Sequence, residues 1–553
     1  MTEGNPLPVT TGPASLPSPN PTASFWQTSH PNKIADHRST PDLPSKAAVV
    51  VIGTGISGTF AVDELLRQLH PDKGSNQKSH HNNNSDSDDE VEVLVLEART
   101  TCSAATGRNG GHLQPVIHAE SSPIIDFELR NFRHIESLVH DNDIPCDFRR
   151  LRGCVAFWNQ EYFEEAKAAL GEPTSSAASV GHVRPGSGQP GSDAPAPSQT
   201  HPAAPAAAIT SPQHRKLVSI VEDPQELRQL RLQPGAVGAI VQEVAASLSP
   251  YKLVIWMWER LLERFGERVL NLQTKTAVTA VERKQATPKV NVNSQPEPSW
   301  LVHTTRGPVQ ARHVIITTNA YTSHILPEFS NLISPVQAQM SALIPPRSSP
   351  FSADGGRLLP LSYGFNGIDC QDRVMGDYLV QNPHVHKHGR NAGGHLMLGG
   401  GRHLPPQNGV GVSDDSYVDM TVERYLRSLP ERLDLGAERE ESGSAQPESS
   451  SMLDIAASWT GVIGSSVDGH PWVGPVPGSR GLFLCAGYSG HGMTNAGLCA
   501  RHVAGLVHQA MATGLKQRKQ VTGSSNTWDL PREYILTRQR MDAALGREKQ
   551  SKL

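Results

Sequence analysis

Aromatic residues are scarce, at 5% of 553 positions, and no apolar run nears the roughly 20 residues that a membrane-spanning helix needs. The longest such runs, 47–52 among them, are far shorter, and no membrane span is expected. Positive charge is not in excess: the formal net charge is −4 with 24 histidines counted neutral, so no basic stripe is available to hold a phosphate backbone. Nucleic acid is therefore excluded as an expected partner. Cysteine is used sparingly, at 102, 146, 154, 370, 485 and 499, without a Cys-x-x-Cys or a following His pair at zinc spacing. That pattern excludes a zinc ribbon or disulfide scaffold and reads as free thiols in a reducing compartment. The His-His-Asn run at 80–84 lacks the fixed geometry of a metal site, so no metal is expected. The first residues lack the basic stretch and apolar core of a secretory signal.

Glycine (48) and proline (43), in contrast, are abundant, and much of this excess falls in polar stretches. Residues 1–24, 70–89, 172–212 and 436–451 hold too little apolar surface to offset the entropy of ordering them, and read as linkers or disordered inserts. With these removed, strands alternate with helices. Strands are expected over 48–52, 91–96, 153–157, 278–281, 314–317 and 482–486, and helices over 56–69, 123–140, 160–170, 251–265 and 497–511. This interleaving predicts an α/β fold with a parallel sheet, while 341–455 is patterned less clearly and leaves room for antiparallel strands.

The first expected strand runs into Gly53-Thr54-Gly55-Ile56-Ser57-Gly58, and a helix follows. Gly53 allows the tight turn, Gly55 lets backbone approach a pyrophosphate, and Gly58 lets helix and strand pack closely. Phosphates then sit at the positive helix terminus, beside Ile56 and Ser57. Glu97 ends the second strand, where a carboxylate accepts hydrogen bonds from ribose hydroxyls, with Ala98 and Arg99 next to it. Glu97 lies 39 residues past Gly58, and excising the polar insert restores an ordinary interval. An acid rather than an arginine here favours FAD or NAD over NADP.

Two further clusters favour FAD. Thr106, Gly107, Arg108, Asn109, Gly110 and Gly111 form one, before His112; Gly487, Gly490, His491, Gly492 and Met493 fall in the other, which opens the last helix. A flavin lies extended through a protein and needs backbone contact at both ends, including a helix terminus that stabilises negative charge on the reduced ring.

VVVIGTGISG, LEAR with CSAATGRNGGH, and WTGVIGSSVDGHPWVGP with GLFLCAGYSGHGMTNAG occur in that order. Together they resemble the D-amino-acid-oxidase-type FAD-dependent oxidoreductases, a superfamily that includes glycine and sarcosine oxidases. Ser24-Phe25-Trp26 and the SAATGRNGG block resemble most the γ-glutamylputrescine oxidases and fungal proteins like them. The resemblance implies a discontinuous Rossmann-type FAD domain (46–120, 251–340, 456–515) and an α+β substrate domain on a mixed or antiparallel sheet (121–250, 341–455). It also implies an N-terminal extension (1–45) and a C-terminal tail (516–553). Val278 matches the adenine contact, and Asn319 and Ala320 the third crossing beneath the cofactor. The implied chemistry is hydride transfer from an amine-bearing carbon to flavin, with dioxygen as the final acceptor and hydrogen peroxide as product. His491 is then a polarising group rather than a base, or a residue that only braces its loop.

The sequence also departs from that pattern. Gly461 stands where sarcosine-type relatives carry the cysteine that binds flavin covalently, so non-covalent FAD is expected. Thr494 stands where they carry a carboxylate-binding lysine, which allows a diamine derivative or modified amino acid as substrate. Arg108, His112 and Arg402 are the remaining candidates for contacting substrate or flavin. Trp459 reads as a core residue, and Asp468-Gly469-His470-Pro471 as a turn closing over the cofactor. A flavin dehydrogenase using another acceptor, and a FAD-stabilised scaffold without turnover, are the other readings. Ser551-Lys552-Leu553 matches the tripeptide read by the peroxisomal import receptor, giving an expected peroxisomal location, or a cytoplasmic one if the signal is not used.

Overall fold

Val49, Val50 and Val51 have no exposed surface, and they form the middle of strand Lys46–Ile52. A strand buried on both faces reads as a continuous apolar run, and this one pairs in parallel on both sides, with Glu90–Leu96 and Gly307–Ile316. The computed structural model that shows this describes residues 12–71, 90–171, 211–284, 299–368, 376–385, 393–436, 452–515 and 529–551. Most of the expected inserts, the His80-His81 run, Cys370 and Lys552-Leu553 lie outside the described residues.

The first sheet runs in the order Trp472–Pro475, Leu482–Ala486, Gly307–Ile316, Lys46–Ile52, Glu90–Leu96, Leu270–Gln273. Only its Trp472–Pro475 end pairs antiparallel on this path. Chain order reverses on either side of Lys46–Ile52, which makes the carboxyl ends of these strands the natural ligand crevice. Val278–Arg283 and Trp300–Thr304 form an antiparallel hairpin hung from Gly307–Ile316.

The second sheet is mixed. Its order is Asp454–Ser466, Ile333–Ile344, Leu396–Gly400, Gly376–Gln381, Leu361–Asn366, Arg149–Phe157, Gly238–Ser247, His112–Leu113, with Val218–Val221 also on Gly238–Ser247. Every pairing is antiparallel except Leu361–Asn366 with Arg149–Phe157. The expected domain changeovers at 340 and 456 fall inside Ile333–Ile344 and Asp454–Ser466, two long strands that pair with each other in this second sheet. The second sheet therefore claims residues that the sequence reading gave to the FAD domain.

Helices join the two sheets. Gly492–Leu515 packs along Ile56–Leu69, where Gly497 lets the Phe60 ring approach and its missing Cβ would lie 3.3 Å from that ring. Ser122–Asp141 packs on the same helix, and Asn131 Nδ2 donates to Met493 O at 3.0 Å. Among the described residues no helix is long and apolar enough to cross a membrane.

One expectation of disorder needs correction. Residues 12–24 lie docked on the body, with Ala14 and Ser24 buried, because polar groups far along the chain receive them. At the other end, Tyr534 is buried and donates to Asn495 Oδ1 at 2.9 Å, and helix Arg538–Ser551 follows. This part of the C-terminal tail therefore packs on the body through Tyr534.

Candidate functional site

Gly53 takes φ +111°, where a side chain would be strained, and a Cβ there would lie 2.8 Å from Thr317 Oγ1. Thr317 is fixed in turn, its hydroxyl donating to Ile52 O at 2.7 Å. Gly58 performs the packing expected of it: a Cβ would collide with the carbonyl of Gly53. The helix beginning at Ile56 has no side-chain cap, and its Ile56 N–H meets Thr106 Oγ1 at 3.1 Å. An uncapped helix terminus facing a cavity suits an anionic pyrophosphate.

Glu97 accepts from Thr54 N at 3.1 Å, Thr54 Oγ1 at 2.6 Å and Arg99 N at 2.9 Å. A carboxylate has about four acceptor positions, so roughly one remains for a ribose hydroxyl. Glu97 and Ala98 line a cavity of about 1750 Å³ that runs from the glycine loop to the second sheet. That volume exceeds the roughly 300–1,000 Å³ of ordinary small-ligand sites, as a dinucleotide with a substrate beside it requires. Val278 lines it too, at the expected adenine position.

The far side of the cavity is the loop before Gly492–Leu515. Asn319, at φ +47°, accepts from Gly487 N at 2.9 Å and Tyr488 N at 3.4 Å, so the third crossing holds the loop directly. Ser489 N donates to Gly464 O at 2.8 Å, and Ser57 Oγ lies 2.8 Å from the Tyr488 hydroxyl. Gly55, Ile56, Ser57, Thr106 and Asn109 line the near wall; Ala320, Gly490, His491, Gly492 and Met493 line the far wall. Gly461 lines the cavity, whereas among the described residues no cysteine does. A FAD-shaped ligand fits this frame at both ends.

On the second-sheet side, His112, His118 and Glu120 are held toward their uncharged forms, while Asp377, ion-paired with Arg432, and Arg402 also line the cavity. His112 Nε2 donates to Gln114 Oε1 at 2.8 Å, leaving Nδ1 as the acceptor of the neutral ring, which stacks on Tyr378 at 5.7 Å. Burial lowers the pKa of His112 and of His118 to about 4, with the nearby His491 opposing their protonation. His491 is exposed and lines the cavity, and the protein around it lowers its pKa as well. Burial, with Glu128 and Glu533 nearby, pushes Glu120 up to about 8. The Tyr378 hydroxyl accepts from Gly110 N at 2.8 Å and donates to Met340 Sδ, and burial raises its pKa to about 12.

Several expected site residues do other work. Arg108 reaches the cavity wall, but its guanidinium is occupied: Nε donates to Ser103 O at 2.7 Å, Nη1 to Thr460 O at 2.7 Å, and Nη2 to Thr22 O at 2.9 Å. Burial lowers its pKa to about 10, against the pull of Asp415. Its guanidinium is thus engaged mainly with protein carbonyls and Thr22, beside the cavity that Arg108 lines. Arg99 turns away from the cavity to pair with Asp415 at 2.9 Å. Gly107 and Gly111 are pressed against the carbonyls of Cys102 and Leu248, and Gly110 lies under Tyr378, so backbone packing rather than ligand contact demands these glycines. Gly487 abuts Trp472 and Ile333 in the same way. Arg402 does line the cavity, beyond the last turn of strand Leu396–Gly400. Trp459 is core, its Nε1 donating to Arg108 O at 2.7 Å. The Asp468, Gly469 and His470 turn borders the cavity as expected.

Sequence reasoning missed Asp415, Glu128, His118, Glu120 and Tyr378. The first two are lone acids whose partners lie far away in the chain, and no local spacing marks them. His118 and Glu120 follow the glycine cluster closely, and that proximity was the available signal.

The family described as DAO, FAD dependent oxidoreductase, matches residues 48–506. Compared by sequence with curated proteins, the chain has no match. Among solved structures, glycine oxidase from Geobacillus kaustophilus superposes with a TM-score of 0.53 at 16% identity, over 88% of this chain and 99% of that one. L-amino acid deaminase from Proteus vulgaris, with its specific insertion deleted, gives 0.54 at 13% identity, over 89% and 97%. L-alpha-glycerophosphate oxidase from Mycoplasma pneumoniae, dithionite-reduced and with FAD bound, gives 0.52 at 11%, over 89% and 99%. At these identities the likeness concerns the fold.

Proposed function

The chain belongs to the FAD-dependent oxidoreductases of the DAO family, and we propose that it oxidises the C–N bond of an amine or amino acid with dioxygen as final acceptor. Bound FAD supplies the acceptor for the two electrons and proton that leave the amine-bearing carbon as a hydride equivalent. The substrate loses two hydrogens to become an imine, which water hydrolyses, and dioxygen gains both to become hydrogen peroxide.

The observation that carries this reading is the stretch of cavity wall near His491 where His112, His118 and Glu120 are held toward their uncharged forms. At neutral pH, His112 and His118 carry no charge and Glu120 holds its proton. Beside these three groups a protonated amine would lose hydration without gaining an ionic partner, so this part of the wall favours the neutral amine, whose nitrogen lone pair assists hydride departure. The neutral imidazole of His112 offers Nδ1 to an amine N–H. His491 is fixed by its own backbone, N to Tyr488 O at 2.8 Å, which suits a polarising group rather than a proton carrier.

The resemblance to γ-glutamylputrescine oxidases puts acylated diamines first among substrates, and Thr494 in place of a carboxylate-binding lysine agrees with that order. FAD is held without a covalent bond in this reading. Import into peroxisomes through Ser551-Lys552-Leu553 also belongs to it, and a fluorescent fusion that loses punctate localisation when one residue is added after Leu553 tests this.

Anaerobic titration of the FAD-loaded protein with acylated diamines, N-methyl amino acids and free amino acids tests the chemistry. Bleaching of the flavin by one class, and one peroxide released per imine under air, is the expected result. No bleaching by any amine overturns the reading; bleaching without peroxide replaces dioxygen with another acceptor.

A further inference from the structure

We propose that residues 14–24 are the outer wall of the FAD site, and that FAD enters before this strap docks. The proposal rests on the FAD cofactor and not on the choice of substrate. Leu16 and Pro17 line the cavity itself. On one flank, Ala14 N donates to Ser323 Oγ at 2.9 Å and Ala14 O lies 3.1 Å from His324 Nδ1. Ser323 and His324 belong to a short helix packed against Val278–Arg283, the strand at the adenine position. On the other flank, Ser18 O accepts from Arg99 Nη1 at 3.2 Å, two residues after Glu97. The strap therefore bridges the adenosine end of the cavity from one bank to the other.

Its latch is polar. Thr22 N donates to Asp415 O at 2.7 Å, and Arg108 donates to both the hydroxyl (3.1 Å) and the carbonyl (2.9 Å) of Thr22. Asp415, 1% exposed, sits between Arg99 at 2.9 Å and Arg108 at 3.3 Å. Both guanidiniums also bind Ser103 O, at 3.1 and 2.7 Å, and Ser103 opens the loop along the near wall. Farther on, Ser24 Oγ donates to Gly107 O and Trp26 Nε1 to Asn109 O, so the strap and the cofactor loop share one set of bonds.

Segment 14–24 buries little of its own apolar surface, so this network, not a core, holds it. Such a segment opens at a lower free energy than the sheets beneath it. A ligand as long as FAD passes out only when the strap lifts, so strap opening sets the rate of FAD release.

The Ser15 and Ser413 hydroxyls, 2.8 Å apart, give the test. In the holoenzyme carrying Ser15→Cys and Ser413→Cys, the oxidised form pins the strap and the reduced form frees it, in one folded protein. FAD release, read as recovery of free-flavin fluorescence on dilution, is expected to slow at least about tenfold on oxidation and to recover with reductant, a change worth about 1.4 kcal/mol. Deleting residues 2–19 from the holoenzyme is expected to speed release by a similar factor. Equal release from oxidised and reduced forms overturns the proposal, as does a deletion variant that retains FAD as long as the full chain.

Discussion

Thr494, which lines the cavity, donates its hydroxyl to Glu128 Oε1 at 2.9 Å. Asn495 Nδ2 shares that oxygen at 2.7 Å, and Val116 N meets the other at 2.7 Å. A fully enclosed carboxylate thus ties the first turn of Gly492–Leu515 to the segment that leads to His118 and Glu120. Burial raises its pKa, with these three hydrogen bonds opposing the rise.

Glu128→Gln keeps the volume but turns one acceptor into a donor facing another donor, either Val116 N–H or the Thr494–Asn495 pair. A loss of about 1–3 kcal/mol in stability is expected, read from the urea midpoint. Thr494→Val is expected to cost less, because Asn495 still donates to the same oxygen. Equal costs would contradict this division of roles.

Stability is expected to fall on both sides of neutrality. His112 and His118 have an unfolded pKa near 6.5 and a folded one of about 4, so the unfolded chain takes up protons first. Their contribution is complete above pH 6.5 and is lost between 6.5 and about 4. Glu120 acts in the opposite direction: its folded pKa of about 8 lies above the unfolded value near 4.5, so its neutral burial favours the fold at low pH. That contribution is lost as pH rises from 4.5 through 8. Denaturant midpoints across pH should show His118→Asn flattening the acid limb and Glu120→Gln flattening the alkaline one.

Two glycines in the glycine-rich clusters should respond very differently to a methyl group. In Gly107→Ala the methyl collides with the Cys102 carbonyl, which cannot move without displacing the cofactor loop. Loss of bound FAD, measured as flavin absorbance per protein, is expected. Gly490 sits at φ +91° with open space around it, so Gly490→Ala meets only backbone strain of about 1–2 kcal/mol and should retain FAD.

Arg540 binds both oxygens of Asp468, at 2.8 and 3.0 Å, and stacks on the Trp472 ring at 3.7 Å. Burial alone would raise the pKa of Asp468, but the Arg540 hydrogen bonds and charge bring it below the usual value. The pair therefore stabilises above the unfolded carboxylate pKa and is lost as pH falls through the folded one. Arg540→Ala is expected to cost about 2 kcal/mol at pH 7, to cost less in acid, and to open residues 529–551 to trypsin.

What the sequence made legible was local. The glycine turn, its helix 56–69 and Glu97 follow from spacing within short windows, once the polar insert is set aside. The helix expected at 497 begins at Gly492 instead, because its start is set by positive-φ residues in the preceding loop, Gly487, Ser489 and Gly490, and not by apolar periodicity. Arg99 and Arg108 read as ligand contacts because nothing nearby neutralises them; Asp415 does, from far along the chain. For the same reason 12–24 read as linker: its partners at 323, 413, 415 and 460 are remote and polar, and composition does not register them. The sheet boundary failed where Ile333–Ile344 and Asp454–Ser466 pair across an intervening stretch.

The Thr22 contacts also bear on biosynthesis. Translation delivers Thr22 early, whereas the Asp415 and Thr460 carbonyls that receive it emerge late, after most of both sheets. Throughout that interval residues 14–24 lack the partners that hold them beside the cavity, although the glycine loop is already made. A segment synthesised early is thus among the last to be placed.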